Sequence, residues 1–340
     1  MQGAGRIQER EAGGVKVDAK DRKILYLLVQ DARVSVAQIA KKVMLSRDSV
    51  SYRIKRMQKH GVILRFFPLL NYKHFGFNVY HVFIVLDEGY RDEHKRLVET
   101  LEHHPNILSL MEYNDRWDMQ ISLIAKSIRE FDAIMTDITT RFPNVIVEKD
   151  ILENINNYKM KFLPYVSDVT VKSKPVAKET YQLYTRDIRL LSLLVNNVRL
   201  STYEIGELLS MNADTVAYRI KKMYNSGLIK GYTTLVNFSK LHYHWYTCVL
   251  QMKTFDQKHE RKFQQYVKTV PHIVRAVKTL GPWDVLLYIV VNDTKEFHKI
   301  VKDLRGEFYD IIKAYEAWIA YEEHVYNPMP SILTGNLING

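Results

Sequence analysis

The sequence has few of the features that mark secreted, membrane or disulfide-rich proteins. Its 340 residues include a single cysteine, Cys248, which excludes an internal disulfide framework and a zinc site built on cysteines. The longest apolar runs, such as residues 285–291, have the length of a strand and are too short to cross a bilayer. The first ten residues lack the apolar stretch of a signal peptide. These absences predict a cytoplasmic protein.

Sequence signatures of common catalytic and cofactor sites are missing as well. There is no GxGxxG, no Walker loop, no GxSxG and no HExxH. His103 and His104 follow Glu102, but consecutive helical residues point in different directions and so do not predict a metal site. Trp117 and Trp283 are expected in a core or an interface. We therefore predict a protein that is not an enzyme and that needs no cofactor or metal.

The chain contains two copies of one pattern, related by a constant offset of 166 residues. The offset holds over more than a hundred residues, so the copies have the same element lengths. The repeated units run from about 18 to 158 and from about 184 to 326. Matched pairs include Asp21 and Asp187, Arg33 and Arg199, Tyr52 and Tyr218, Gly61 and Gly227, Trp117 and Trp283, and Phe142 and Phe308.

The first part of each unit reads as three helices followed by a small β-hairpin. In copy one, apolar residues recur at helical spacing over 21–30, Ser35 can cap a second helix, and Ser46 can cap a third. Gly61 ends the third helix, and the alternation over 62–70 predicts the hairpin. Residues 187–236 repeat this order. Three helices and a β-wing are typical of a winged helix-turn-helix domain.

The third helices, 46–60 and 212–226, are the predicted recognition helices of the DNA major groove. At about 100° per residue, Val50, Ile54 and Met57 form the buried stripe of the first helix. The opposite face carries cations, hydroxyls and a phenol, which suits contact with bases and phosphates. The predicted DNA-binding residues are Arg47, Asp48, Ser49, Ser51, Tyr52, Lys55, Arg56 and Lys59 in copy one, and Asp214, Thr215, Tyr218, Lys221 and Lys222 in copy two.

The positive charge of the chain is concentrated in these helical domains. The whole chain has a net charge of +11, whereas residues 18–73 carry +9 and residues 184–240 carry +4. A solvated helix face is the alternative interpretation of single lysines. Two clusters at equivalent positions on predicted recognition helices favour double-stranded DNA as the partner.

The second part of each unit is rich in strands. Strands are predicted over 77–86, 106–113, 117–125 and 145–154, and helices over 91–103 and 127–141. The order β-α-β-β-α-β is ferredoxin-like and leaves one sheet face in need of a partner, either the other copy or a second chain. The fold class is thus α+β.

The predicted organisation is a flexible arm (1–17), a winged helix-turn-helix domain (18–73), a ferredoxin-like domain (74–160), a linker (161–183), the second winged helix-turn-helix domain (184–240), the second ferredoxin-like domain (241–326) and a tail (327–340).

This architecture resembles the leucine-responsive regulatory protein/AsnC (Lrp/AsnC) family of transcription regulators. The resemblance rests on residues 21–43, on SRDSVSYRIKRMQKHGVI at 46–63 with DTVAYRIKKMYNSGLIKGYT at 214–233, and on GPWDVLLYIV at 281–290. It implies sequence-specific DNA binding, dimers built through the C-terminal domains, and control by a small, typically amino-acid effector. One chain here carries what the family assembles from two, so we expect an intrachain pseudo-dimer that also forms a homodimer.

The sequence departs from the family at two places. The turn before each recognition helix has Met44 or Ser210 where the family has glycine, the residue that best tolerates a left-handed backbone. Before the Trp-Asp pair, the family glycine is kept as Gly281 but is Asp115 in copy one. The resemblance therefore makes Gly281 and Asp284 candidate effector-binding residues. A loop-capping role for Asp284 is the interpretation that we favour.

Two other functions fit parts of the pattern. Siroheme decarboxylases share the two-part architecture and include fused pairs, but they place histidines around the hairpin of the ferredoxin-like domain. This chain has no histidine in 106–125 or 279–291. A ligand-sensing or chromatin-architectural protein that binds DNA with little sequence preference is the third hypothesis.

Overall fold

A computed structural model describes residues 6–7, 16–164 and 181–335. The described residues form two compact units: a helical unit (16–77, 181–236 and 327–335) and a sheet unit (6–7, 78–164 and 237–326). No helix in these ranges is long and apolar enough to cross a membrane. Copy one contains α1 (Ala19–Gln30), α2 (Val36–Val43), α3 (Arg47–Lys59), β1 (Ile63–Leu70), β2 (Asn78–Leu86), α4 (Arg91–Glu102), β3 (Ile107–Tyr113), β4 (Met119–Ala125), α5 (Ile128–Arg141) and β5 (Ile146–Met160).

The second copy repeats these elements in the same order. Every one of its strands and major helices begins 166 residues after its counterpart, which confirms the tandem duplication. They are α6 (Thr185–Asn196), α7 (Thr202–Leu209), α8 (Ala213–Asn225), β6 (Ile229–Val236), β7 (His244–Met252), α9 (Gln257–Thr269), β8 (Ile273–Leu280), β9 (Val285–Val291), α10 (Thr294–Glu307) and β10 (Ile312–Tyr326). A short helix, α11 (Ile332–Gly335), follows.

In the helical unit, the predicted hairpins are replaced by one sheet shared between the copies. The segments 62–70 and 228–236 each form a single strand, and β1 pairs with β6 in antiparallel register, with Phe66 opposite Thr234. The hairpin prediction was wrong because alternation identifies a strand but not its partner. The segment 62–70 also has no two-residue turn signal in its interior. The helix-turn-helix part of the prediction is confirmed.

Each shared strand also packs against the first helix of the other copy. Helix α1 packs on β6 of the other copy, and α6 packs on β1. The Thr233 hydroxyl donates to the carbonyl of Val29 at 2.8 Å, and the amide of Val198 donates to the carbonyl of Phe66 at 3.1 Å. The hydrophobic core of each helical domain therefore contains a strand from the other half of the chain.

The sheet unit consists of two ferredoxin-like sheets joined edge to edge. Each copy has the expected β-α-β-β-α-β order, and the strands follow one another as β10-β3-β4-β2-β5-β8-β9-β7, with β7 again beside β10. The junctions between the copies are β5 with β8 and β10 with β3. Strand β5 runs to Met160, beyond the predicted 145–154, because its second half pairs with β8. Within this unit, the partner of each sheet is the other copy.

Helices cover the outside of the closed sheet, and side chains fill its inside. Phe131 of α5 stacks on Tyr80, with ring centroids 4.4 Å apart. The interior contains an aromatic cluster in which Phe83 meets the edge of Trp318 at 5.2 Å and Trp117 at 5.9 Å. Trp117 is therefore a core residue, as expected.

The described parts of both termini pack against the rest of their units. Arg6 and Ile7, within the predicted flexible arm, are buried in the sheet unit, although the rest of 1–15 lies outside the described residues. The predicted linker falls mainly on residues 165–180, which also lie outside them. The tail packs on the helical unit up to residue 335: the Tyr72 hydroxyl donates to the carbonyl of Pro328, and Leu333 is buried.

Candidate nucleic-acid interface

Side-chain caps fix the start of each predicted recognition helix. The hydroxyl of Ser46 accepts a hydrogen bond from the amide of Ser49 at 3.1 Å, at the start of α3. The side-chain oxygen of Asn212 accepts from the amide of Thr215 at 2.7 Å, at the start of α8. Capping of this kind stabilises a helix by about 1 kcal/mol and defines which residues form its first turn.

The turns before these helices reach a left-handed backbone without glycine. Met44 has φ 54° and ψ 58°, and Ser210 has φ 53° and ψ 48°. The amides of Met44 and Ser210 donate to the carbonyls of Ala40 and Gly206 and so end the preceding helices. The departure from the family pattern therefore changes the residue but keeps the tight turn.

A buried apolar stripe holds each recognition helix in place. Val50, Ile54 and Met57 are buried in α3, as the helical spacing predicts. The equivalent stripe of α8 is also buried and consists of Val216, Ile220 and Met223. The face opposite each stripe is therefore presented outward from the helical domain.

The structure places most of the predicted DNA-binding residues on that outward face. Tyr52 and Tyr218 are 67% and 57% exposed, which is too much for phenol rings that serve the core. Lys222 approaches the ring of Tyr218 to 5.1 Å. The exposed members are Arg47, Asp48, Tyr52, Lys55, Lys59, Asp214, Tyr218, Lys221 and Lys222, and the partly exposed members are Ser49, Ser51, Arg56 and Thr215.

Arg56 differs from the other predicted cations because its guanidinium is engaged within the domain. It forms an ion pair with Asp21 of α1, a carboxylate that is completely buried. Arg53 donates to the same carboxylate at 2.8 Å and to Asp18 at 2.7 Å. The amide of Asp21 and the guanidinium of Arg53 lower the pKa of Asp18. This cluster anchors α3 on α1.

Copy two retains only part of this anchor. Arg219 donates to buried Asp187 at 2.8 Å, in the positions equivalent to Arg53 and Asp21. Lys222 takes the place of Arg56. The sequence analysis did not predict these ion pairs, Arg53 with Asp21 and Arg219 with Asp187. The same 32-residue spacing in both copies was the signal that could have revealed them.

The helices α2 and α7 show a difference between the copies that the prediction also missed. Lys41 and Lys42 are exposed on α2. The equivalent residues on α7 are Glu207 and Leu208, of which Leu208 is 64% exposed. In a helix-turn-helix, the helix before the recognition helix crosses the DNA backbone. The surface of copy one is cationic at this place, and the surface of copy two is not.

The candidate effector residues lie at the tip of the β8–β9 hairpin in the sheet unit. The backbone of Gly281 has φ +149°, and a Cβ there would approach the Ile151 carbonyl to 2.3 Å. The Asp284 carboxylate accepts from the amide of Met252 at 2.7 Å, and Asp118 accepts in the same way from Leu86 at 2.6 Å. These contacts give Gly281 and Asp284 structural roles within the fold. An effector that bound here would contact residues that already have these roles.

Comparisons with known proteins agree with this geometry. Residues 17–58 and 186–224 match the AsnC-type helix-turn-helix domain, and residues 247–328 match the Lrp/AsnC ligand binding domain. The chain is 29% identical, over 130 residues, to a helix-turn-helix transcriptional regulator of Pyrococcus furiosus, covering 35% of this chain and 86% of that protein. It is 27% identical, over 121 residues, to one of Mycobacterium tuberculosis, covering 35% and 80%.

A solved structure shares the fold over almost the whole chain. The siroheme decarboxylase NirDL aligns with a TM-score of 0.63 and covers 94% of this chain and 98% of its own. The sequence identity is 11%, so the likeness concerns the fold alone.

Proposed function

We propose that this chain, which belongs to the Lrp/AsnC family and carries its architecture twice in tandem, is a transcription regulator that binds duplex DNA in a sequence-specific manner. The observation that carries the proposal is the outward face of α3 and α8. Each face combines lysines with an exposed tyrosine and small hydroxyl residues, and each is held by a buried apolar stripe and a capped first turn.

The two kinds of side chain on this face have different roles in the proposal. Ser49, Tyr52 and their counterparts lie in the first half of each helix, where a recognition helix contacts base edges. Lys55 and Lys59 lie further along α3 and contact phosphates, which increases affinity without reading sequence. Arg56 is held by Asp21, so it acts mainly by fixing the position of α3.

Copy one is proposed to supply most of the binding free energy. Its helical domain has the higher net charge, and Lys41 and Lys42 extend its cationic surface onto α2. Copy two has Glu207 and Leu208 at those positions, so its phosphate contacts are fewer. The second domain then adds a weaker half-site.

The ferredoxin-like domains are proposed to bind a small effector of the amino-acid type. The match of residues 247–328 to the Lrp/AsnC ligand binding domain supports this role for copy two. Gly281 and Asp284 remain the candidate residues. A homodimer formed by the same domains also remains a prediction, since a second chain is needed to test it.

Two double variants test the assignment of the DNA surface. We expect Lys55→Ala with Lys59→Ala to weaken binding to all duplexes, because the attraction of lysine to phosphate is independent of sequence. The slope of log K against log salt should fall by about 0.9 for each phosphate that a lysine no longer neutralises. Lys295→Ala with Lys299→Ala, on exposed positions of α10, is the matched control. Unchanged affinity and slope in the α3 variant would place the DNA surface elsewhere.

A separate variant tests base reading. Tyr52→Ala should change the sequence preference obtained by selection from a random duplex pool, because a good base contact contributes about 1–3 kcal/mol of discrimination. Tyr309→Ala, at an exposed tyrosine of the sheet unit, controls for the removal of an aromatic side chain. If Tyr52→Ala selects the same sequences as the parent protein, α3 does not read bases through this residue.

The shared fold with a siroheme decarboxylase keeps a tetrapyrrole enzyme as the second candidate. The sequence identity of 11% carries no functional argument, and the family matches favour the regulator. Titration with an iron porphyrin separates the two candidates. A regulator should leave the Soret band unchanged, whereas a saturable shift would favour the enzyme.

A further inference from the structure

A buried ion pair joins the beginning of the chain to the last strand of the sheet unit. Arg6 and Glu323 are 317 residues apart in sequence, and their side chains are 3% and 0% exposed. The guanidinium donates from Nε to one carboxylate oxygen at 2.9 Å and from Nη2 to the other at 2.6 Å. This two-bond geometry matches the planar fork of a guanidinium, which an ammonium cannot reproduce.

Two aromatic rings flank the same guanidinium. Its central carbon lies 4.5 Å from the ring centroid of Trp245 and 4.5 Å from that of Tyr326. Cation–π contacts of this kind are stronger when the cation is shielded from water, as it is here. The carboxylate and the two rings thus surround the cation on several sides.

The backbone of Arg6 is recognised as well as its side chain. The amide of Arg6 donates to the Glu323 carboxylate at 2.6 Å, and its carbonyl accepts from the amide of Phe238 at 2.8 Å. The amide of Glu323 donates to the carbonyl of the next residue, Ile7, at 3.0 Å. The site therefore contacts both the guanidinium and the backbone of Arg6.

The duplication provides an internal comparison for this site. The residues 166 positions before Glu323, Trp245 and Tyr326 are Asn157, Val79 and Met160. Copy one thus has neither the carboxylate nor the flanking rings. The set is particular to copy two and is not a general requirement of the ferredoxin-like fold.

We propose that Glu323, Trp245 and Tyr326 form an arginine-binding site, filled in cis by Arg6, that accepts a ligand of the arginine class when Arg6 is withdrawn. The ligand is a monosubstituted guanidinium, such as free arginine or an arginyl peptide. The proposal concerns the sheet unit alone and is independent of DNA binding. It is also separate from the candidate effector residues Gly281 and Asp284.

Chemical complementation of the full-length Arg6→Ala protein tests the proposal. The variant leaves the buried carboxylate without its partner, so we expect a lower melting temperature. Ethylguanidinium should raise that temperature in a saturable way and should bind, by calorimetry, at least about tenfold more tightly than ethylammonium. The parent protein should bind ethylguanidinium at least about tenfold more weakly than the variant, because Arg6 competes.

Two further variants keep the test decisive. Arg6→Ala combined with Glu323→Gln should abolish the preference for ethylguanidinium over ethylammonium. Arg96→Ala removes an exposed arginine that pairs with Glu93 on α4, and it should show no such complementation. Equal effects of the two cations on Arg6→Ala, or a preference that survives Glu323→Gln, would overturn the proposal.

A third variant covers the case in which Arg6→Ala does not fold. Arg6→Lys keeps a positive charge without the planar fork, and ethylguanidinium should still stabilise it more than ethylammonium does. The Arg6→Ala protein can also be refolded in the presence of ethylguanidinium and compared with Arg6→Lys. If ethylguanidinium stabilises neither variant more than ethylammonium does, the site does not accept an arginine-class ligand.

Discussion

At the scale of single residues, the interior of the sheet unit is more polar than its strands suggest. The Gln120 side chain donates to the Tyr288 hydroxyl at 2.7 Å and accepts from the Tyr113 hydroxyl at 2.7 Å. His81 lies 2.9 Å from the Ser122 hydroxyl and is buried. Polar residues that alternate along a strand normally indicate a face toward water. Here the closure of the sheet turns that face inward.

This burial gives His81 a definite effect on stability. Burial and the charge of Arg275 lower the pKa of His81 from 6.5 to about 3. The folded protein therefore keeps the imidazole neutral at pH values where the unfolded chain takes up a proton. The contribution of this residue to stability is complete above pH 6.5 and decreases progressively as the pH falls toward 3.

The pH dependence of unfolding in a His81→Gln variant measures this effect. Between about pH 8 and pH 5, the free energy of unfolding of the parent should fall by about 2 kcal/mol more than that of the variant. Urea unfolding at both pH values gives the difference. His103→Gln, at the exposed end of α4, controls for the removal of one imidazole. Parallel pH dependences in parent and His81→Gln would contradict the assignment.

At the scale of elements, the recognition helices show what local sequence determines. The Ser46 cap, the stripe of Val50, Ile54 and Met57, and the end of α3 near Gly61 follow from residues within a few positions of one another. The stripe is predictable from periodicity, and the cap and the end of the helix are predictable from residue type. The left-handed turn at Met44 was harder to predict because the backbone is dictated by the packing of α2 and α3, which overrides the preference of the residue.

The turn at Met44 leads to a stability prediction. A non-glycine residue in the left-handed region costs about 1–2 kcal/mol, and the Met44 side chain is 77% exposed, so it contributes little packing. We expect Met44→Gly to increase the free energy of unfolding by about 1 kcal/mol, after the greater flexibility of the unfolded chain is included.

Denaturant unfolding of the helical domains checks this prediction, with Met44→Ala as the matched control. Alanine removes the same side chain but keeps a Cβ, so it should give no comparable gain. A gain for both variants would point to the exposed methionine, and a decrease for Met44→Gly would show that the turn is not strained.

At the scale of the whole chain, the two copies are joined by hydrogen-bonded strands in both units. In the helical unit β1 pairs with β6. In the sheet unit β5 pairs with β8, and β10 pairs with β3. Separated copies would expose these strands as unpaired edges, which favour pairing with another chain. The copies should therefore depend on each other for solubility and folding.

Division of the chain tests this dependence. When residues 1–164 and 181–340 are produced together as separate chains, they should co-purify as a 1:1 complex, because three strand pairings join them. Size-exclusion chromatography with light scattering measures the stoichiometry. Each half produced alone should self-associate or precipitate. Two stable monomers that do not bind each other would contradict the prediction.

The sequence by itself determined the duplication, the α+β class, the order of the helices and of the ferredoxin-like strands in each copy, and the faces of the recognition helices. These depend on periodicity, capping and composition, which are properties of residues close together in the chain. Only the tertiary structure decided that β1 pairs with β6, that Arg56 is held by Asp21, and that Arg6 reaches Glu323. Strand edges and buried charges select partners by complementarity across tens or hundreds of residues, and no local pattern encodes that choice.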